Sequence, residues 1–153
     1  MIHNTSLRRG FTLIELLVTS AIIMILVGGS LAAYNNFNDK QTLDAAAAEL
    51  KNNLRMARGW AMVVKKAACT NTSGGYKVDF SGVYGDYGIR EMCGSSEVGS
   101  WQNFSYPGGV SDNYNGSFIF KPLTGEVGSE ITITLTLKSR TKTVTIKENG
   151  EIE

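Results

Sequence analysis

Arg8-Arg9-Gly10-Phe11-Thr12-Leu13-Ile14-Glu15-Leu16-Leu17-Val18 opens an apolar run that reaches Ala33. From Phe11 to Ala33 one side chain is ionisable, Glu15, and it stands near the start. A helix needs about 20 consecutive apolar residues to cross a bilayer. The run therefore predicts a membrane-spanning helix over residues 11–34. A carboxylate in that setting costs about 2.5–3.5 kcal/mol on insertion scales, so an intramembrane acid demands a partner and a purpose. Arg8 and Arg9 flank the run on one side, against Asp39 and Lys40 on the other. The excess of positive charge places the N-terminal head in the cytoplasm and everything after Tyr34 outside.

This head resembles the class III signal of type IV pilins and of the pseudopilins of type II secretion. The resemblance rests on Gly10, Phe11 and Glu15, preceded by Arg8 and Arg9 and flanked by Thr12-Leu13-Ile14 and Leu16-Leu17. It implies that residues 1–10 are a leader cut off by a prepilin peptidase after Gly10, that Phe11 is then N-methylated, and that Glu15 serves assembly. A secretory signal peptide keeps its cleavage site beyond the apolar region, whereas Gly10 lies before it. Physical chemistry supplies a reason for the pattern. Cleavage exposes a cationic amine on Phe11 at the edge of the hydrocarbon, one helical turn from the Glu15 anion. When helices of several subunits pack in lipid, the amine of an arriving copy can meet Glu15 of its neighbour. Pairing relieves much of the cost of either charge alone. The implied partners are other pilin or pseudopilin subunits, the prepilin peptidase, an inner-membrane assembly platform and the membrane itself. The implied location is the inner membrane as a single-pass protein with a periplasmic C-terminal domain, and then a pilus or pseudopilus.

The helical pattern continues beyond the apolar run. Leu43, Ala47, Leu50, Leu54, Ala57, Ala61 and Val64 recur at steps of four and three, with Asp39, Lys40, Lys51, Asn52, Arg55 and Lys65 opposite, the mark of an amphipathic helix. One helix from about Phe11 to about Lys66 would be roughly 80 Å long. Residues 35–66 form its amphipathic half, lying against a β-rich domain over 67–153. Gly28-Gly29 is a weak point at about 1 kcal/mol per Gly; it suits local melting in assembly or close packing of helices.

After Ala67 the composition turns to Gly, Ser, Asn, Thr and Tyr. Strands are expected at Tyr76–Phe80, Tyr87–Cys93, Ser117–Phe120 and Ile131–Leu137, the last with Ile and Leu on one face and Thr on the other. Arg140-Thr141-Lys142 reads as a bend leading to a partner strand over Thr143–Lys147. Residues 94–116 read as a long loop anchored by Trp101, Phe104 and Tyr106, with a turn at Pro107-Gly108-Gly109. The fold class is α+β: a long N-terminal helix, membrane-spanning then amphipathic, packed on a C-terminal antiparallel sheet or sandwich. Two further segments, Leu54 to Met62 with its Ala57-Arg58 pair and the Phe-x-Phe-x-Pro-x-x-Gly pattern from Phe118 to Gly125 with an Ile-x-x-x-Gly ending, resemble the minor pseudopilin H and FimT-like minor pilin branch. Arg58 itself is expected to be solvated or to cap a carbonyl.

Composition limits the remaining chemistry. The chain has 153 residues, a net charge of +1, one His (His3) and two Cys. That leaves no metal-ligand cluster, no cofactor motif and no base for a Ser or Cys nucleophile; Glu126 and Glu130 read as solvated loop charges, so no catalytic residue is expected. If the domain is outside the cytoplasm, Cys69 and Cys93 are expected to form a disulfide worth roughly 3 kcal/mol, the alternative being two buried thiols. The function expected is that of a minor pilin or pseudopilin subunit, placed near the filament tip. The alternative is a DNA-binding, FimT-like pilin in natural transformation, in which Lys138, Arg140, Lys142 and Lys147 meet phosphates. The acidic tail from Glu148 to Glu153 and an ordinary solvated hairpin face speak against it.

Overall fold

The structure is a computed structural model and describes residues 10–63, 74–83 and 85–153, without the side chains of residues 29–33. Arg8, Arg9, Val64, Lys65, Lys66 and Cys69 lie outside the described residues. One helix, α1 (Leu13–Val63), is followed by seven strands: β1 (Gly75–Asp79), β2 (Tyr87–Cys93), β3 (Ser96–Phe104), β4 (Ser111–Asp112), β5 (Ser117–Phe120), β6 (Ile131–Leu137) and β7 (Arg140–Ile146). Contacts divide the chain into two units, Met1–Asn38 and Asp39–Glu153. The α+β class expected from the sequence is what is found.

In the second unit the helical stripe is buried where periodicity placed it. Leu43, Ala46, Ala47, Leu50, Leu54, Ala57 and Ala61 join one core with residues from both sheets. Four alanines in that stripe leave little side chain between helix and sheet, so the contact is close and its larger partners come from the strands: Tyr87, Phe120, Ile89, Ile133 and Ile146 are fully buried. The first sheet has the order β3-β2-β1-β5 and the second β4-β6-β7, with every strand pair antiparallel. The alternation in β6 holds: Ile131, Ile133, Leu135 and Leu137 are buried, and the Thr residues between them are more exposed.

Two expectations are corrected. The long loop over 94–116 contains a nine-residue strand, β3, and the short β4. β3 pairs on one side only, at the edge of its sheet, and no stretch of it is buried. Its half-buried residues, Val98, Trp101 and Phe104, come at steps of three, so there is no period-two burial to select, Gly, Ser and Asn are tolerated and the sequence signal fades. Second, the bend is not at Arg140-Thr141-Lys142, which belong to β7. Leu137 pairs with Arg140, so Lys138-Ser139 is a two-residue turn, with Lys138 in the left-handed region at φ 56°. Such turns usually carry Gly, Asn or Asp, and their absence here hid the turn.

Candidate assembly site

In the first unit the described chain begins at Gly10, and α1 starts three residues later. Thr12 caps it: the Glu15 N–H donates to Thr12 Oγ1 at 3.3 Å and the Leu16 N–H to the Thr12 carbonyl at 3.2 Å. Thr12-x-x-Glu15 has the spacing of a capping box and puts an acid in the first helical turn, where the N-terminal end of the helix favours negative charge. The spacing is visible in the sequence. The hydroxyls in the next turn are satisfied by the helix itself, Thr19 Oγ1 donating to the Glu15 and Leu16 carbonyls and Ser20 Oγ to that of Leu17. Glu15 is different: among the described residues its carboxylate has no hydrogen bond or ion pair. A helix terminus offsets its charge only in part, so the residue retains a need for a cation.

The surroundings of Glu15 are apolar and uncovered. Twelve large hydrophobic side chains between Phe11 and Val27 are exposed, from 48% at Val18 to 84% at Leu13. At about 1.5–3 kcal/mol for each such side chain buried, this face carries on the order of 20 kcal/mol or more of unrealised burial. Isolated apolar residues are normal on a surface, but a contiguous patch of this extent marks a lipid or protein contact. Among the described residues no helix is long and apolar enough to cross a membrane; the side chains of residues 29–33, within the expected 11–34 span, are outside that description.

The second unit brings together the segments that looked unrelated along the chain. Arg55 Nη2 donates to the Ile152 carbonyl and Arg58 Nη2 to the Asn149 carbonyl, both at 3.1 Å. The Leu123 N–H donates to the Ala61 carbonyl at 3.0 Å. Arg58 is thus a carbonyl-capping residue, as expected, and it lies between two glycines. A β-carbon on Gly150 would sit 1.9 Å from the Gly125 carbonyl oxygen, and one on Gly125 would sit 2.9 Å from Arg58 Cγ; both glycines have positive φ. The Ala57-Arg58 pair, the Pro122-x-x-Gly125 turn and the terminal glycine therefore meet at one joint that ties the C-terminus to the helix.

The four basic residues of the hairpin are each placed. Arg140 and Lys142 stand opposite Leu137 and Leu135 in the ladder, Arg140 half-buried and Lys142 exposed. Lys142 Nζ is bonded to Asp44 of α1, Lys138 Nζ to both oxygens of Asp39 at 2.7 and 2.8 Å, and Lys147 Nζ to Glu151 and Glu153. Lys142 holds the Asp44 carboxyl below its ordinary value through that hydrogen bond, and Glu153 likewise raises Lys147. Four cations thus stand among four carboxylates, and Arg140 has no acidic partner among the described residues. The sequence pattern showed the cations; it could not show that Asp39 and Asp44, about 100 residues away, stand opposite. Cys93 ends β2 and is disulfide-bonded.

With this geometry in place the N-terminal segment can be compared with known families. Residues 5–31 match the prokaryotic N-terminal methylation motif. The matched stretch includes Gly10, Phe11 and Glu15. The fold is similar to that of the type IV minor pilin FimU of Pseudomonas aeruginosa PAO1 in its crystal structure, with a TM-score of 0.52 and 15% sequence identity over 76% of this chain and 90% of that one. At that identity the likeness concerns the fold. No curated protein matches the sequence.

Proposed function

We propose that this chain is a minor pilin or pseudopilin subunit, anchored in the inner membrane by residues 11–34 and assembled into a type IV pilus or a type II secretion pseudopilus near its tip. Its leader, residues 1–10, is removed by a prepilin peptidase after Gly10 and Phe11 is N-methylated. Glu15 then receives the Phe11 amine of the adjoining subunit. One observation carries the reading: a carboxylate without a described partner lies one turn from the motif's cut site, amid twelve exposed apolar side chains. Minor status rests on the likeness to FimU, and the pseudopilin H or FimT-like branch on the joint formed by Arg58, Gly125 and Gly150. The domain after Tyr34 lies outside the cytoplasm, where Cys93 pairs with Cys69, the one other cysteine of the chain.

Glu15→Ala tests the pairing. Removing one partner of a buried ion pair costs about 3–5 kcal/mol, more than a hundredfold in an incorporation equilibrium. Cleavage after Gly10 is expected to proceed normally in this variant, while its recovery in sheared filaments falls below detection. Wild-type recovery in filaments would overturn the mechanism.

A further inference from the structure

Asn-Gly occurs twice in the chain, at Asn115-Gly116 and Asn149-Gly150, and the fold treats the two bonds oppositely. Glycine has no β-carbon to crowd its own main-chain nitrogen, so in an Asn-Gly pair that nitrogen can reach the side-chain amide carbon of the asparagine. At Asn149 both reacting ends are tied. Its Oδ1 accepts the Glu151 N–H at 2.9 Å, its carbonyl accepts from Arg58 Nη2, and the Gly150 N–H donates to the Lys147 carbonyl at 2.8 Å. Gly150 is also buried, with the Gly125 carbonyl packed against it. At Asn115 neither end is held. The side chain is exposed and the segment 113–116 belongs to no strand. Among the described residues neither the Asn115 amide nor the Gly116 N–H makes a hydrogen bond. Asn113, two residues earlier, shows the contrast: its Oδ1 accepts the Thr134 N–H at 2.8 Å.

Asn115 also borders a cavity of about 250 Å³ together with Asp86, Asp112 and Tyr114, and among the described residues no Lys or Arg lines it. We propose that Asn115 is a site of spontaneous deamidation through a succinimide, and that its product sets a third carboxylate beside Asp86 and Asp112. The Gly116 main-chain nitrogen gives up its proton and attacks Cγ of Asn115; the side-chain nitrogen leaves as ammonia and the ring closes. Water then opens the ring. Attack on the former side-chain carbonyl gives aspartate, and attack on the main-chain carbonyl gives isoaspartate, whose longer main chain falls directly before β5. The net change is one water taken up and one ammonia released, with no oxidant or cofactor. Like charges gathered without a cation between them raise the cost of ionising each one, so the folded chain loses stability when the amide becomes an acid.

The test ages the full chain in maltoside at mildly alkaline pH and follows both bonds by peptide mass spectrometry, with electron-transfer fragmentation to tell isoaspartate from aspartate. Asn115 is expected to convert, with isoaspartate as the larger product. Asn149, whose reaction must first break a charged contact and a main-chain hydrogen bond, is expected to convert at least about tenfold more slowly. In denaturing urea that protection is lost, and the two bonds are expected to react at comparable rates. Gly116→Ala, whose β-carbon makes only ordinary contact with the Tyr114 ring at 3.5 Å, is expected to slow Asn115 severalfold. Asn115→Asp carries the new charge without the longer main chain and is expected to unfold at lower urea than wild type at neutral pH. An intact Asn115, equal rates at both bonds in the folded chain, aspartate without isoaspartate, or an undiminished rate in Gly116→Ala would overturn the deamidation. An Asn115→Asp midpoint at or above that of wild type would overturn the carboxylate cluster.

Discussion

Gly150→Ala probes the joint between helix and C-terminus more sharply than any other single change. Gly150 has φ 78° and its absent β-carbon would lie 1.9 Å from the Gly125 carbonyl oxygen and 2.8 Å from Arg58 Nε. A left-handed conformation costs a residue with a β-carbon about 1–2 kcal/mol. The clash is with backbone, which no rotamer relieves, so the 122–125 turn and the 147–150 turn must separate by more than an ångström. That separation strains the Arg58 bond to the Asn149 carbonyl, a contact of a charged donor worth about 1.5–3 kcal/mol. Together the loss is about 3–5 kcal/mol, in the range reserved for identifiable backbone or core defects. Gly128→Ala is the matched control, since Gly128 has open space around it and no positive φ; it is expected to change stability by less than about 0.5 kcal/mol. Urea unfolding of the full chain in maltoside, followed by near-ultraviolet circular dichroism, reads both. A Gly150→Ala midpoint equal to that of Gly128→Ala would refute the reasoning.

Two further outcomes follow from the electrostatics. Burial holds the Asp112 carboxyl above its usual value against the Tyr114 N–H bond that lowers it. A raised acid binds more protons folded than unfolded, so its contribution to stability falls as pH rises through the window above 3.8. Asp112→Asn keeps an oxygen acceptor for Tyr114 and is expected to raise the unfolding midpoint at pH 7, an advantage that vanishes below pH 3.8; a variant less stable than wild type at pH 7 contradicts this. At the hairpin, four carboxylates engage Lys138, Lys142 and Lys147 and leave Arg140 alone without an acidic partner among the described residues, so a gel shift of duplex DNA with the full chain is expected to show no binding at low salt. Retardation that weakens steeply with added salt would restore the phosphate-binding reading of Lys138, Arg140, Lys142 and Lys147.

What could be read beforehand and what could not divide along physical lines. The helical stripe from Leu43 to Ala61 and the alternation of β6 were legible because each has one face in the core, and burial of one face writes its period into the sequence. β3 was not legible, because it is an edge strand without period-two burial. The Lys138-Ser139 turn was missed for a related reason: its left-handed residue is a lysine, which announces nothing. At the candidate site, Gly10, Phe11 and Glu15 stand out as one short pattern, and the spacing of Thr12 and Glu15 that underlies the cap is present in the same stretch. The joint of Arg58 with Gly125 and Gly150 and the pairing of Lys142 with Asp44 depend on contacts between distant segments, for which a single sequence carries no local signal.

Everything proposed for assembly depends on a free amine created next to Glu15. Intact-mass measurement and N-terminal fragmentation of the chain recovered from membranes of a host with an active prepilin peptidase test this directly. The expected product is a polypeptide that begins at Phe11 and carries one added methyl group on its amine. A recovered chain that still begins at Met1, or at any residue other than Phe11, would contradict it.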